Sequence, residues 1–202
     1  MAFDFTQKQY EKQDMEDAEL SERELCGFHF VDCRFYGAEL GGLVTRKCLF
    51  SNCTFSFASL QDSLHVGTAF LNCTFDGASL FGAELENCKC TGSSFAGANL
   101  TGLAIRGGNF SDTVLDGCDL RRMDLHSVCF AHAFLQRANL ERADLRGCDF
   151  SHAVLVGAVL KNADLRGARL DGVDVRQVRF DRTKIDLEQA VRFAESMGCV
   201  LE

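Results

Sequence analysis

Residues 138–167 consist of six consecutive five-residue blocks, ANLER, ADLRG, CDFSH, AVLVG, AVLKN and ADLRG. The third residue of each block is leucine or phenylalanine, and the first is alanine or cysteine. The same frame extends from Met15 to Ile185, where only Thr45 and His65, among the 35 residues at multiples of five, are not apolar. An internal repeat of this kind is the strongest indication of the fold, because every block must adopt a similar local structure.

A period of five residues fits neither a helix nor a flat strand. A helical stripe repeats every 3.6 residues and a strand alternates every two. The pattern therefore predicts a chain that turns once per block, with the third and first residues of each block facing inward. Leucine recurs every twentieth residue from Leu40 to Leu160, and phenylalanine does so from Phe35 to Phe95. Four sides of five residues close one coil, which predicts an all-β solenoid of about nine four-sided coils.

The composition agrees with this single-domain architecture. Proline is absent, as expected where every coil needs its N–H groups for pairing, and many of the 18 glycines follow the large inward residue at a corner. The repeat divides the chain into an N-terminal lead-in or cap at 1–14, a β-helix at 15–185, and a terminal helix and tail at 186–202.

The segment after the repeat predicts an amphipathic helix from Leu187 to Met197. Asp186 and Gln189 have the spacing of a capping box, and Gly198 follows the last turn. We expect this helix to cap the last coil and to join two protomers tail to tail, because its apolar arc is wider than capping requires. The predicted interface residues are Leu187, Ala190, Val191, Phe193, Ala194 and Met197.

The eleven cysteines do not predict a disulfide or metal framework. Seven of them occupy the small inward position of a block, where cysteine acts as a small hydrophobe, and no CxxC pair occurs. We expect free thiols and a soluble, cytoplasmic protein, since residues 1–25 contain no apolar signal core. No phosphate loop, nucleophile elbow or metalloprotease motif is present, so no enzyme activity, cofactor, metal, small-molecule substrate or membrane contact is predicted.

The net charge of −8 is unevenly distributed. Residues 1–100 contain 14 acidic and 7 basic side chains, whereas residues 101–202 contain 15 and 14. Nucleic-acid binding needs a basic surface, so direct contact with nucleic acid is disfavoured. The acidic character favours a partner with a basic site, although solubility alone explains it equally well.

Two groups of surface positions are candidate partner contacts. The first group surrounds the two exceptions to the repeat, Thr45 and His65. There, either the backbone bulges or this side of the solenoid exposes apolar residues. The candidate contacts in this group are Thr45, Arg46, Leu64, His65 and Val66. Val114, Phe134 and Val154 are also spaced by twenty residues and predict an outward apolar stripe. Aligned apolar residues on a surface often mark a contact site, although packing defects and strand propensity also produce them.

The blocks at 138–142, 143–147 and 163–167 resemble the A(D/N)LxG units of pentapeptide-repeat proteins. That resemblance implies a right-handed quadrilateral parallel β-helix. A chain of this length that ends in a short helix resembles the Qnr and MfpA group of the family, and residues 64–70 are similar to an irregular stretch of MfpA. The unbroken five-residue frame leaves no room for the projecting loops of many Qnr proteins, so the loopless MfpA form is the nearer comparison.

The resemblance implies a dimeric rod that imitates duplex DNA, binds DNA gyrase or topoisomerase IV, and protects it from quinolones or peptide toxins. If the rod lays its middle across a two-fold enzyme, carboxylates near the dimer centre are further expected contacts, namely Asp164, Asp171 and Asp174. The alternative is a structural or adaptor rod for another protein. Aligned acidic residues would favour the first hypothesis, and apolar patches without such alignment the second.

Overall fold

The structure is a computed structural model that describes residues 6–200. The lead-in predicted at 1–14 therefore lies partly outside the described residues, as do the last two residues of the predicted tail. Within the described part of the chain, no helix has the length and apolar character needed to cross a bilayer.

The chain forms a parallel β-solenoid followed by one α-helix. Nine three-residue strands occur in the order β1 (Gln9–Glu11), β2 (Glu24–Cys26), β3 (His29–Val31), β4 (Val44–Arg46), β5 (Leu49–Ser51), β6 (Leu64–Val66), β7 (Ala69–Leu71), β8 (Glu84–Glu86) and β9 (Ala104–Arg106). They build two parallel sheets, one ordered β1-β3-β5-β7 and the other β2-β4-β6-β8-β9. Each strand pairs with residues twenty positions away, as Phe30 does with Phe50. The predicted coil of twenty residues is therefore confirmed.

Single-residue bridges continue the same register on the remaining sides. They run through Arg34 and Thr54 on a third side and through Glu39 and Ser59 on the fourth, which gives four sides per coil. Strands of regular length build only about five turns, fewer than the nine coils expected. The strands stop because of the turns at the corners. Where a two-residue turn lies on both sides of a block, only one residue of that block pairs with the next coil, so the strand is reduced to a single-residue bridge.

The inward residues form one continuous core along the axis. Phe30, Phe50 and Phe70 stack with ring centroids 4.8 and 5.0 Å apart, close to the spacing of adjacent strands. A second ladder joins Phe35, Phe55, Phe75 and Phe95 at 4.7 to 4.9 Å. The cysteines are free, as predicted, and eight of them are buried. Burial raises the pKa of the Cys88 thiol to about 11, so this thiol stays protonated.

The corners of the coils adopt left-handed backbone conformations. Glycine is not essential there, because 18 described residues other than glycine also have positive φ values. Glycine is needed where a side chain from the neighbouring coil crosses the corner. At Gly77, with φ +68°, an added Cβ would lie 2.7 Å from the ring of Phe57.

The α-helix, α1, spans Leu187–Ser196 and begins at the predicted capping box. A 3₁₀ turn at Val175–Gln177 precedes it. Gln189 is buried, and its Nε2 donates hydrogen bonds to the carbonyl oxygens of Leu165 at 2.7 Å and Ala168 at 2.8 Å. The helix thus closes the last coil through a polar side chain, which supplies the donor for the Ala168 carbonyl and a second donor for the Leu165 carbonyl.

Candidate protein-interaction surface

Thr45 and His65, two of the predicted contact residues, do not reach the surface. Both are buried with at most 1% of their area exposed. Their strands β4 and β6 pair in regular register, so the backbone does not bulge. The His65 Nε2 atom lies 3.0 Å from the hydroxyl of Ser63, and Thr45 Oγ1 lies 2.9 Å from the hydroxyl of Thr68. The prediction that these two residues contact a partner is therefore wrong, because hydrogen bonding lets polar side chains fill inward positions.

The outward neighbours of this pair remain accessible. Arg46 is exposed and its Nε donates to Glu24 at 2.8 Å, while Leu64 and Val66 are half-buried. The register aligns Arg46 with Val66 and Val44 with Leu64. Of the two alternatives for this region, the regular pairing excludes the bulge, and the apolar side chains Leu64 and Val66 are only partly exposed.

The predicted stripe of Val114, Phe134 and Val154 is aligned on one side of the solenoid. Bridges join Val114 to Phe134 and Phe134 to Val154. Phe134 is 42% exposed, the two valines are half-buried, and Val156 adds a further exposed side chain nearby in sequence. The geometry expected from the spacing is present, and the role of the stripe in binding stays a prediction.

The three carboxylates expected near the centre of a dimer are already engaged within the chain. Asp164 accepts hydrogen bonds from Arg166 at 2.7 and 2.9 Å, which hold the pKa of Asp164 below its usual range. Arg176 and Gln177 hold the pKa of Asp174 well below the ordinary value. Asp171 forms ion pairs with Arg192 and Arg169. The negative charge at this end of the solenoid is therefore largely compensated.

This compensation follows a repeated motif that the charge count did not reveal. In the blocks of Asp144 and Asp164, an arginine two residues later returns to the carboxylate at 2.5 and 2.7 Å. The two aspartates are bridged to each other on one side of the solenoid. The signal in the sequence is the Asp-Leu-Arg triplet, which places both charged residues on the same outward side.

Uncompensated carboxylates lie instead toward the N-terminal end. Within residues 6–200, none of Glu19, Glu22, Glu39 and Asp62 forms an ion pair, and all four are exposed. The twenty-residue register places Glu19 and Glu39 on one side of the coil, and Glu22 and Asp62 at the following corner. We call these four residues the acidic patch.

An exposed aromatic pair, also missed from the sequence, lies at another corner in the same half. Tyr36 is 42% exposed and Phe57 is 63% exposed, and their ring centroids are 5.5 Å apart in an edge-to-face arrangement. Both residues occupy outward positions of their blocks, which was the available signal. Exposed aromatic residues of this size are typical of protein contact sites.

The residues expected to form a dimer interface differ in exposure. Leu187 is 82% and Met197 69% exposed, whereas Ala190, Val191, Phe193 and Ala194 are half-buried within the single chain. Phe193 packs on Phe180 with ring centroids 5.2 Å apart. Part of the apolar arc therefore serves the cap, and the ends of the helix are free for a partner.

The structure offers no assembled metal centre in residues 6–200, because no three His, Cys, Asp or Glu side chains converge there. His132 and His152 stack on the surface at 5.1 Å, as the register predicts.

The repeat architecture defines a class of protein. A family model for pentapeptide repeats matches residues 73–112, 108–142 and 143–182, which is more than half of the chain. The chain belongs to the pentapeptide-repeat family. No curated protein matches it.

Solved structures of QnrB1, described as a plasmid-mediated fluoroquinolone resistance protein, are similar over nearly the whole chain. A trypsin-treated variant gives a TM-score of 0.84 at 24% identity, covering 96% of this chain and 97% of that one. A second trypsin-treated variant gives 0.75 at 25% identity, with 96% and 97% covered. Full-length QnrB1 gives 0.70 at 24% identity, with 95% and 97% covered. The protein is thus a Qnr-like pentapeptide-repeat protein in its fold.

Proposed function

We propose that this protein binds a type II topoisomerase, DNA gyrase or topoisomerase IV, as a rod-shaped mimic of duplex DNA. In doing so it protects the enzyme from quinolones or peptide toxins. The observation that carries the proposal is the likeness to QnrB1, which covers 96% of this chain in one continuous solenoid with a terminal helix. At about a quarter identity the likeness concerns the fold, so the surface has to supply the rest of the argument.

The acidic patch supplies a suitable surface. Glu19, Glu22, Glu39 and Asp62 are exposed carboxylates without ion pairs inside the described chain. A DNA-binding enzyme presents basic residues to the phosphates of its substrate, and those residues attract such carboxylates in the same way. The compensated carboxylates Asp164 and Asp174 are poorer candidates, because each must first give up an arginine.

The acidic patch moves the expected contact with the enzyme away from the dimer centre, where the sequence predicts it. The centre of a tail-to-tail dimer presents mostly paired charges, whereas the uncompensated carboxylates lie toward the two outer ends. We therefore assign the main electrostatic contact to the N-terminal half of each protomer. Arg46, Leu64 and Val66 lie in the same half and complete this candidate surface.

The remaining features agree with a protein that acts by binding. The proposal includes no cofactor, no catalytic group and no direct contact with nucleic acid. The free thiols suit a reducing compartment such as the cytoplasm. Two protomers joined tail to tail through α1 would give one longer rod, with an acidic patch toward each outer end.

The alternative is an adaptor rod for a different protein partner. The observation that favours it is the aligned apolar stripe of Val114, Phe134 and Val154, together with the exposed pair Tyr36 and Phe57. An adaptor would use these apolar surfaces and would not depend on the acidic patch.

The experiment that separates the two functions uses purified DNA gyrase. For the DNA mimic, we expect the protein to compete with linear DNA for gyrase and to restore supercoiling in the presence of a quinolone. If the protein neither binds gyrase nor alters inhibition at micromolar concentration, the proposed function is wrong and the adaptor function is preferred.

A further inference from the structure

Backbone pairing between two adjacent coils is interrupted on two of the four sides. The edges concerned are residues 98–107 and 118–127. In the next coil, Leu120 N donates to Asn139 O at 2.8 Å and Leu125 N to Asp144 O at 2.9 Å. Six equivalent backbone N–H groups face the interruption, and within the described chain none of them donates to a backbone carbonyl. They belong to Leu100, Gly102, Ile105, Gly107, Asp119 and Asp124.

The carbonyls that these groups would reach are open as well. Ala98 and Leu103 on one edge, and Asp119, Arg121, Asp124 and His126 on the other, accept no backbone hydrogen bond within the described chain. Strand β9 is the last strand of its sheet, so its outer edge faces this gap. An unpaired edge of this kind is a template for pairing with another chain.

Side-chain size accounts for the gap. Leu103 and Met123 lie in the small inward position that Ala83, Ala143 and Ala163 occupy in other coils of the same side. Two large residues stacked in that position overfill it and force the coils apart. Met123 is only half-buried, and so is Ala98, although Ala78 and Ala138 at the equivalent position of other coils are fully buried.

The other two sides hold the same coils together. Phe110 N still donates to Cys129 O, and Leu115 N to Phe134 O, both at 2.7 Å. The rings of Phe110 and Phe130 are tilted by 42°, whereas those of Phe130 and Phe150 are within 10° of parallel. The two coils therefore splay about their paired sides and open a wedge-shaped cleft.

This cleft has a volume of about 1040 Å³, at the upper end of the range for ligand pockets. Leu103, Ile105 and Met123 give it an apolar floor, and both edges carry open backbone groups. An extended polypeptide satisfies such groups through its own main chain while it places alternate side chains on the floor.

The charges of the lining specify the occupant further. Arg121 pairs with Asp119 at 2.5 Å, His126 lies 3.5 Å from Asp124, and Arg106 lies 3.5 Å from Glu84. Arg122 is exposed and forms no ion pair within residues 6–200. Glu141, which also lines the cleft, pairs with Arg142 at 3.7 Å. Arg122 is therefore the one arginine of the lining that pairs with no carboxylate within residues 6–200, and it is complementary to a carboxylate on the occupant.

We propose that this cleft binds an extended, acidic segment of a partner protein, which adds a strand at β9 and places a carboxylate against Arg122. This binding mode does not depend on the enzyme proposed above, and it uses a surface separate from the acidic patch.

Amide hydrogen exchange of the free protein gives the first test. We expect the six unpaired amides to exchange rapidly, while the equivalent amides of Leu120, Arg122, Leu125 and Ser127 are protected by their carbonyl partners. Equal protection of both sets would mean that the cleft is closed in solution, and the proposal would be overturned.

The second test selects ligands from a phage-displayed library of linear nine-residue peptides, with the intact protein as the target. We expect enriched peptides to contain an acidic residue, and a synthetic copy to protect the six amides. Arg122→Ala should weaken its binding about tenfold, as expected for the loss of a charge-assisted hydrogen bond. Arg182→Ala is the matched control, because Arg182 occupies the same corner position three coils later.

A closing variant completes the design. Leu103→Ala with Met123→Ala restores small residues to the inward position, so we expect the six amides to gain protection and peptide binding to be lost. The proposal is overturned if no peptide is enriched, if Arg122→Ala leaves the affinity for the peptide unchanged, or if peptides protect amides outside the cleft. Protection that increases with protein concentration alone would assign the cleft to a second copy and would also overturn it.

Discussion

The imidazole Nδ1 of His65 lies 2.7 Å from the hydroxyl oxygen of Thr45, in the adjacent coil. Ser63 binds the other ring nitrogen, and Thr68 binds Thr45, so four polar side chains form one closed cluster inside an otherwise apolar core. A neutral imidazole has one donor and one acceptor nitrogen, which matches these two contacts. Burial lowers the pKa of His65 to about 3, and the protonated form is therefore excluded from the folded state at neutral pH.

This cluster predicts a pH-dependent loss of stability. The pKa of His65 is about 3 in the folded protein, against an ordinary value of 6.5 in an unfolded chain, so between these values only the unfolded chain binds the proton. The free energy of unfolding should fall by up to about 1.4 kcal/mol per pH unit as the pH decreases below this ordinary value. His65→Leu should remove this part of the slope in urea titrations carried out from neutral to mildly acidic pH. His29→Leu, at an exposed position, is the control, and an unchanged slope in His65→Leu would contradict the prediction.

The phenylalanine ladder predicts a large effect of truncation at its centre. Phe55 is 1% exposed and stacks between Phe35 and Phe75 at 4.7 and 4.8 Å. Phe55→Ala should lower the free energy of unfolding by about 3–5 kcal/mol in urea denaturation, because a rigid core cannot close the resulting cavity. Phe57→Ala removes a ring of the same size at an exposed corner and should cost less than about 1 kcal/mol. Similar losses for the two variants would mean that the assigned register is wrong.

Much of the fold follows from the sequence because the repeat constrains every side in the same way. A shift of one residue would turn the Phe55 column outward, so the positions of inward residues were determined by spacing alone. The exceptions were harder to interpret. Whether Thr45 and His65 face inward depends on hydrogen bonds with Ser63 and Thr68, and a periodic pattern does not describe the orientation of these hydroxyl groups.

The candidate surface was less predictable than the fold for a related reason. The count of charges gave the correct excess of acidic residues in the first half of the chain, but it did not indicate which carboxylates are paired. Asp164 is a weaker candidate contact than the sequence predicts, because Arg166 lies on the same outward side and binds it. The cleft beside β9 has a signal in the sequence, namely two large residues, Leu103 and Met123, at consecutive positions of a column that holds alanine in the coils on either side. The effect of these residues on pairing is visible only from the stacking of the coils.

The terminal cap depends on one buried amide. Gln189 donates to the carbonyls of Leu165 and Ala168, and its Oε1 accepts from the backbone N–H of Asp186. Gln189→Leu should lower the free energy of unfolding by about 1–3 kcal/mol, because the buried carbonyl of Ala168 loses its donor and the capping box loses its side-chain acceptor. Thermal and urea unfolding provide the measurement, and Glu195→Leu on the exposed side of α1 is the control. If both variants were equally stable, the cap would not depend on this amide.

Dimerisation through α1 is best tested at its most exposed apolar residues. Phe193 also packs on Phe180 inside the chain, so a charge there would disturb the cap as well. Leu187→Asp combined with Met197→Asp alters side chains that are 82% and 69% exposed. We expect this double variant to be a monomer by light scattering. We also expect it to unfold cooperatively in urea, because the substituted side chains lie outside the core of the single chain. Glu188→Gln with Glu195→Gln is the control, and a double Asp variant that remains dimeric would place the interface elsewhere.

The distribution of paired and unpaired carboxylates makes the proposed gyrase contact testable by two matched triple variants. Glu19→Gln, Glu22→Gln and Glu39→Gln together remove exposed charges that have no ion pair within the described chain. Asp164→Asn, Asp171→Asn and Asp174→Asn remove the same formal charge where arginines already compensate it. If gyrase binds the acidic patch, the first triple should weaken affinity about tenfold or more and flatten its salt dependence, because screened charge contacts are lost. The second triple should change affinity less than about threefold, or about 0.7 kcal/mol. A larger loss of affinity in the second triple variant would place the gyrase contact at the dimer centre. If binding of the unmodified protein to gyrase did not depend on salt, DNA mimicry would be excluded.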